Sequence, residues 1–170
     1  MTDQLIEALV RLDEASRGER AARIRWLSQH IPSVSGFIAP VEATVLMEEA
    51  RQCFVNGQFV AALMLAASFI EHKLADTLRA QELTSNSPSF ASAIQLARSN
   101  KLFSIELLDK TDRIRQIRNP FAHRKPDNHE HSLGNRFLSQ RVHPQTVIEG
   151  DAAIAVQAMY EYFTLTLVRV

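Results

Sequence analysis

The chain has 170 residues, 46% of them hydrophobic and 22% charged, which fits one globular domain with a real core and excludes a disordered chain. Basic and acidic residues number 19 each, so no overall field attracts nucleic acid, and any polyanion site must be a local patch. The single cysteine, Cys53, excludes an intrachain disulfide and predicts a cytoplasmic protein. We expect no signal peptide and no membrane span, because no apolar stretch reaches the roughly 20 residues that a bilayer requires.

Residues 1–30 predict an N-terminal helical extension. Leucines recur at helical spacing from Asp3 to about Arg17, and a second apolar set follows between Glu19 and His30. Acids and bases alternate through this region, as expected of a solvated amphipathic face. Residues 31–40 contain two prolines, a glycine and two serines, which predict a linker to a helical domain over residues 41–170.

The domain itself reads as a series of helices. The first runs from Val41 to about Val55 with Val45 facing inward, and Asn56-Gly57 marks a short turn into the strongest helix of the chain, which extends to about Gln81. Because the turn is short, these two helices should pack antiparallel. Further helices are predicted over residues 87–99, capped by Ser87, over residues 104–118, capped by Ser104, and over residues 151–169.

Two segments are predicted to be irregular. Asn119-Pro120 should end the helix predicted over residues 104–118, because proline cannot donate a backbone hydrogen bond and disfavours helical geometry in the residue before it. Residues 124–149 are polar and rich in histidine, arginine and asparagine, and predict a long loop with a short extended piece at residues 146–148. No pair of strands is predicted, so the fold class is all-α.

A run of basic residues stands out between Arg113 and Lys125, where thirteen residues carry five bases and no acid. In a neutral protein this is a focused positive patch at the junction of a helix and a loop. Within it, Arg118 and His123 form a pair that could cleave a phosphodiester without metal. An imidazole moves protons near neutral pH, and a guanidinium stabilises the charge that grows on phosphate oxygens.

RNA is the natural substrate for such a pair, since its 2′-hydroxyl is a nucleophile beside the phosphate. Spacing alone also fits a structural alternative, in which a basic helix end favours its own dipole and His123 caps a loop. No Gly-rich phosphate loop is present, which argues against nucleoside triphosphate hydrolysis. We expect no cofactor and no metal.

The segment Arg-Asn-Pro-Phe-Ala-His at residues 118–123 resembles the R-x4-6-H signature of the HEPN superfamily. Its surroundings are similar too: a Gly57-Gln58-Phe59 turn leads into a long apolar helix carrying Ile70-Glu71, and Gly150-Asp151-Ala152 opens a last amphipathic helix. The resemblance covers residues 41–170. It implies an up-down helical bundle, a homodimer with the two motifs facing each other, and in many members a metal-independent ribonuclease of a toxin–antitoxin, antiviral-defence or RNA-processing system.

Carried over by position, the resemblance implies that Arg118 binds the scissile phosphate, His123 is the general acid or base, and Asn119 orients His123 or the phosphate. Glu71 would correspond to a supporting polar residue on an earlier helix. Other members are non-catalytic binding or regulatory modules, so the expected partners are RNA, a second copy of the chain, and an antitoxin or regulatory protein. Around the motif, phosphate contacts are predicted for several bases, although these could equally serve to solubilise a loop: Arg115, Arg124, Lys125, Arg136 and Arg141.

Three other features have two readings each. The Asp127-His129-His131 alternation could chelate a metal on an extended strand, but its polar context favours a solvated loop. Trp26 and Phe90 could stack on bases, but core or interface positions are favoured.

Overall fold

The computed structural model describes residues 3–32, 40–126 and 128–167, and every regular element in these ranges is a helix. The prediction of an all-α bundle is confirmed. The seven helices are α1 (Gln4–Leu27), α2 (Val41–Val55), α3 (Phe59–Ala80), α4 (Phe90–Ser99), α5 (Ile105–Ala122), α6 (Leu133–Gln140) and α7 (Pro144–Leu165). None of them combines the length and hydropathy needed to cross a bilayer.

The hairpin of α2 and α3 depends on Gly57. This residue has φ +76°, a left-handed conformation that side chains with a Cβ disfavour. The N–H of Gln58 reaches back to the carbonyl of Cys53 at 2.8 Å, which closes the turn. An added Cβ at Gly57 would also lie 3.3 Å from Nη1 of Arg23, so the glycine lets α1 approach the hairpin. The predicted antiparallel pairing of the two helices follows from this turn.

The centre of the bundle is α3, which packs against α2, α4, α5 and α7. Its side chains are buried at helical intervals on nearly every side, from Phe59 at its start to Leu78 near its end. Across α5 and α7, the Thr111 hydroxyl lies 3.0 Å from the hydroxyl of Tyr162, and Lys110 binds Glu161 at 2.7 Å. These contacts join the first half of α5 to the last turns of α7.

The prediction that Asn119-Pro120 ends the helix is wrong. Helix α5 continues to Ala122 with Pro120 inside it, and His123 is its C-cap. Pro120 forms no backbone hydrogen bond, but it lies in the last turn, so it disturbs the helix only near its end. The bond that the N–H of His123 donates to the Asn119 carbonyl, at 2.8 Å, holds the turn beyond it.

The predicted loop over residues 124–149 is also wrong, because it contains α6 and the start of α7. Ser132 caps α6 by accepting the N–H of Asn135, and Pro144 stands at the first turn of α7, where its missing N–H costs nothing. The extended piece expected at residues 146–148 is helical. Asp151 lies inside α7 rather than at its start, and its carboxylate is buried against Arg136.

Smaller corrections concern helix ends and facing. The two helical segments predicted within residues 1–30, one to about Arg17 and one from Glu19, form a single helix, α1, which continues through Gly18. The cap of α4 is Ser89, whose hydroxyl accepts the N–H of Ser92, rather than Ser87. Val45 is 48% exposed instead of facing the core. Most of the predicted linker, residues 33–39, lies outside the described residues, and so does Asp127.

Two side chains weighed from the sequence take structural positions. Trp26 is half-buried and packs on Phe54 with ring centroids 5.1 Å apart. Cys53 is a free, half-buried thiol whose pKa is raised by burial and, secondarily, by the charge of Glu49. A raised pKa lowers the thiolate fraction at neutral pH, so Cys53 has the properties of a structural residue rather than of a reactive thiol.

We predict a large loss of stability for Asp151→Ala. The carboxylate is 3% exposed and accepts both guanidinium Nη groups of Arg136 at 2.6 Å, so truncation leaves a buried arginine without its counter-charge. The expected cost is about 3 kcal/mol or more in the free energy of unfolding, measured by chemical denaturation. Arg17→Ala, which removes an exposed pair with Asp13, should change it by less than about 1 kcal/mol. Equal effects of the two substitutions would contradict this account of the pair.

Tyr162 should make the fold sensitive to alkaline pH. Burial raises the pKa of its phenol to about 12, although the hydrogen bond with Thr111 opposes that shift. The unfolded phenol loses its proton near pH 10 while the folded one keeps it, so stability is complete below about pH 10 and falls between about pH 10 and 12. The free energy of unfolding, measured by chemical denaturation at several pH values in this range, should fall less steeply with pH for Tyr162→Phe than for the parent protein. An equal fall in both proteins would show that Tyr162 does not cause the alkaline loss of stability.

Candidate functional site

The site is built where α3, α4 and α5 meet around the side chain of Arg118. This side chain is 16% exposed, and its Nη2 donates to Oε2 of Glu71 at 2.9 Å. The guanidinium carbon lies 5.6 Å from the ring centroid of Phe90, a distance typical of a cation–π contact. Glu71, predicted only as a supporting residue, is therefore the direct partner of Arg118. Phe90 is buried and packs against the guanidinium, so its ring is not exposed for stacking on a base.

The guanidinium keeps free donors. Among the described residues none accepts a hydrogen bond from its Nε or Nη1, and neither atom is a buried polar atom without a partner. Both groups therefore keep some contact with solvent. An arginine that is fixed on one side by a carboxylate and open on the other presents its remaining N–H groups in a defined direction, which suits the recognition of a phosphate.

His123 lies just beyond the last turn of α5. Its backbone is extended, with φ −140° and ψ 129°, and its ring is exposed. No described residue forms a hydrogen bond or ion pair with this ring, and no direct bond joins it to Arg118. Asn119 contacts His123 through its backbone carbonyl, while its own side chain makes no recorded bond within the described ranges. The helix end thus carries one anchored guanidinium and one uncommitted imidazole.

The basic run is less positive than its sequence suggests. Arg115 donates from Nε to Oδ1 of Asp112 at 2.7 Å, and Gln116 donates to the other oxygen of that carboxylate at 2.9 Å. Asp112 immediately precedes the run, and its spacing of three residues to Arg115 was the signal that could have revealed the pair. Glu71 offsets a second charge, and it lies too far away in sequence to be found by spacing.

The remaining predicted phosphate contacts differ in accessibility. Arg124 and Arg141 are exposed, and Lys125 is half-buried. Arg136 is 9% exposed and committed to Asp151, so it does not belong to a phosphate-binding surface. Within the basic run, Arg113 and Arg124 are exposed, whereas Arg115, Arg118 and Lys125 are half-buried.

An open cleft adjoins the carboxylate of Glu71. It has a volume of about 460 Å³ and lies between α2, α3 and the segment that leads into α4, with His72, Ser87 and Pro88 among its lining residues. Glu71 is 31% exposed, and the cleft is its route to solvent. The Arg118–Glu71 pair is therefore half-buried rather than sealed in the core.

The histidine cluster at residues 127–131 forms its own local contacts. The N–H of His131 donates to Nδ1 of His129 at 3.2 Å, and Nε2 of His131 lies 2.9 Å from a carboxylate oxygen of Glu130. In the part of the chain that the structure describes, no group of three metal-ligating side chains converges. Asp127, the third member of the predicted alternation, lies outside the described residues.

We expect a measurable coupling between Arg118 and Glu71. In a double-mutant cycle with Arg118→Ala and Glu71→Ala, the interaction term in the free energy of unfolding should be about 1–2 kcal/mol, because the pair is half-buried and its charges are hydrogen-bonded. The exposed pair of Arg79 and Asp76 is a matched control, for which the same cycle should give less than about 0.5 kcal/mol. A coupling of zero for Arg118 and Glu71 would show that the contact contributes nothing to the fold.

The chain matches no protein-family model, and no curated protein and no solved structure shows significant similarity to it. The resemblance to the HEPN superfamily therefore depends on the residues of the motif and their setting at the end of α5.

Proposed function

We propose that this protein is a metal-independent endoribonuclease of the HEPN type. The observation that supports the proposal is the end of α5, where Arg118 is anchored by Glu71 with donors open to solvent and the uncommitted ring of His123 follows five residues later. An anchored guanidinium and an uncommitted imidazole could supply the two functions of metal-independent phosphodiester cleavage, since one stabilises charge and the other moves a proton.

In the proposed reaction, the 2′-hydroxyl of a ribose attacks the adjacent phosphorus. A base takes the hydroxyl proton, the bond from phosphorus to the 5′-oxygen breaks, and an acid gives a proton to that leaving oxygen. The products are a 2′,3′-cyclic phosphate and a 5′-hydroxyl. Arg118 would bind the non-bridging oxygens, and Asn119 would orient the phosphate or the imidazole. Arg115, Arg124 and Lys125 would contact flanking phosphates, although Asp112 already binds Arg115.

Each chain supplies one imidazole at this site, whereas the reaction has two proton transfers. A homodimer in which the two motifs face each other, as the resemblance implies, would supply the second imidazole from the partner. It would also double the number of cations along the RNA. The biological setting that fits such an enzyme is a toxin or antiviral-defence system, in which an inhibitory protein covers the exposed His123.

The alternative is a non-catalytic homodimeric module that binds or regulates. It is favoured by the Arg118–Glu71 contact itself, because a guanidinium that ties α5 to α3 above Phe90 contributes to the fold without any substrate. In that case the motif preserves the junction of three helices, and the cations bind a partner without turnover.

The deciding experiment incubates a mixed RNA pool with the purified protein in EDTA. His123→Ala is the informative variant, because this ring is exposed and unbonded, so its loss should leave the fold intact. We expect it to reduce the cleavage rate by about 100-fold or more, while RNA binding and the melting temperature stay the same. His131→Ala, which removes another loop histidine, should cleave like the parent, and the products should carry cyclic phosphate ends.

Cleavage by His123→Ala at the parent rate would overturn the assignment of the site. If the parent protein binds RNA without cutting it, at any RNA concentration and in any oligomeric state tested, the enzyme proposal fails and the binding module stands.

A further inference from the structure

Lys73 is a buried cation that has no counter-charge in the described part of the chain. It is 9% exposed, as is Arg136, but the guanidinium of Arg136 binds the carboxylate of Asp151. No described residue accepts a hydrogen bond from the Lys73 ammonium, whose recorded contact is with the ring of Phe69, 5.6 Å from Nζ to the centroid. A lysine is rarely buried unless it is paired, and an aromatic face replaces only part of the hydration that a buried ammonium loses. Lys73 therefore retains the capacity to bind an anion.

A cleft with a volume of about 380 Å³ opens beside Lys73. It lies between the second half of α3, the segment that joins α4 to α5, and the end of α7. Its apolar wall is formed by Leu102, Phe103 and Leu165, and the ring of Phe103 contacts the ring of Tyr162 edge-on at 4.9 Å between centroids. The Lys73 ammonium is not sealed from solvent, and its side chain lines this cleft. The cleft therefore combines one cation with an apolar wall, and its size is typical of sites that bind small molecules.

The acidic side chain that lines the cleft does not neutralise Lys73. Asp76 lies three residues further along α3, but its carboxylate is 44% exposed and binds Arg79 at 3.1 Å. Residues 33–39 and 168–170, which adjoin the cleft-forming segments in sequence, contain no aspartate or glutamate. An anion from outside the chain can therefore bind an ammonium that no acidic side chain of the described cleft has engaged.

We propose that this cleft binds a small monocarboxylate with an apolar body. The carboxylate accepts a hydrogen bond from Nζ of Lys73, and the body lies against the apolar wall. A charge-assisted hydrogen bond is stronger in such a partly desolvated site than at the open surface. A single cation with Asp76 nearby favours one negative charge over the nearly two charges of a phosphate group. The lining residues do not include Arg118 or His123, so this site is independent of whether the protein cuts RNA.

The first test concerns the chemistry of the ligand. We expect the full chain to bind 3-phenylpropionate with a dissociation constant of about 1 mM or tighter, measured by calorimetry or ligand-observed NMR. 3-Phenylpropanamide has the same shape without the charge, and inorganic phosphate has the charge without the apolar body. Each should bind about 10-fold more weakly or worse, because each offers only one of the two contacts. Equal binding of the amide, tighter binding of phosphate, or no binding of 3-phenylpropionate at several times that concentration would overturn the proposal.

The second test places the site. Lys73→Met keeps the length of the side chain and removes its charge, so binding of 3-phenylpropionate should weaken by about 10-fold or more. Without ligand, this variant should unfold at the parent temperature or above it, because an uncompensated buried charge has been removed. Lys101→Gln removes an exposed lysine next to Leu102 and should bind like the parent.

Asp76→Asn should bind 3-phenylpropionate more tightly than the parent, because it removes a negative charge from the cleft. Unchanged binding by Lys73→Met would exclude Lys73 as the anion contact. A clear loss of stability in ligand-free Lys73→Met would show that the protein itself neutralises this lysine, and would overturn the proposal. RNA cleavage is measured separately, so failure here and failure of the ribonuclease proposal are distinct results.

Discussion

The structure depends on the burial of α3, which is covered by four other helices. A helix in that position must be apolar on almost every side, and its many alanines, such as Ala62 and Ala66, let its neighbours approach closely. The consequence for the site is that Glu71 cannot be an ordinary surface carboxylate. It lies where α4 and α5 converge on α3, so its charge needs a partner, and Arg118 at the end of α5 provides it.

Arg118 thus has two roles that compete for one side chain. As a structural residue it joins α5 to α3 and covers Phe90, and in the proposed enzyme it would also offer its remaining donors to a phosphate. The two are compatible because a guanidinium has five donors in a fixed plane, and one hydrogen bond to Glu71 fixes that plane without consuming the rest. The exposed ring of His123 forms no such contact with another helix. Substitution of His123 would therefore test catalysis with less effect on folding than substitution of Arg118.

Two arginines outside the candidate site, Arg136 and Arg23, bind carboxylates with different consequences for the fold. The Arg136–Asp151 pair is bidentate and buried, so it fixes the segment after the motif to α7. Arg23 is shared among Glu19, Glu149 and the Val55 carbonyl, and it fixes only the second half of α1. In the described part of the chain, no hydrogen bond or ion pair joins the first half of α1 to another helix. Its apolar side chains, such as Leu9 and Leu12, stay exposed.

The sequence by itself determined the helical class, the α2–α3 hairpin and the place of the motif at the end of a helix, because these follow from local periodicity, from Gly57 and from a run of bases. It misjudged the segment after the motif, since the polar residues of α6 are stabilised by the distant contact of Arg136 with Asp151. Only the tertiary structure showed that Glu71 neutralises Arg118 and that α1 overhangs its bundle. Both facts depend on which helices lie side by side, and spacing along a chain carries no information about partners that are far apart in sequence.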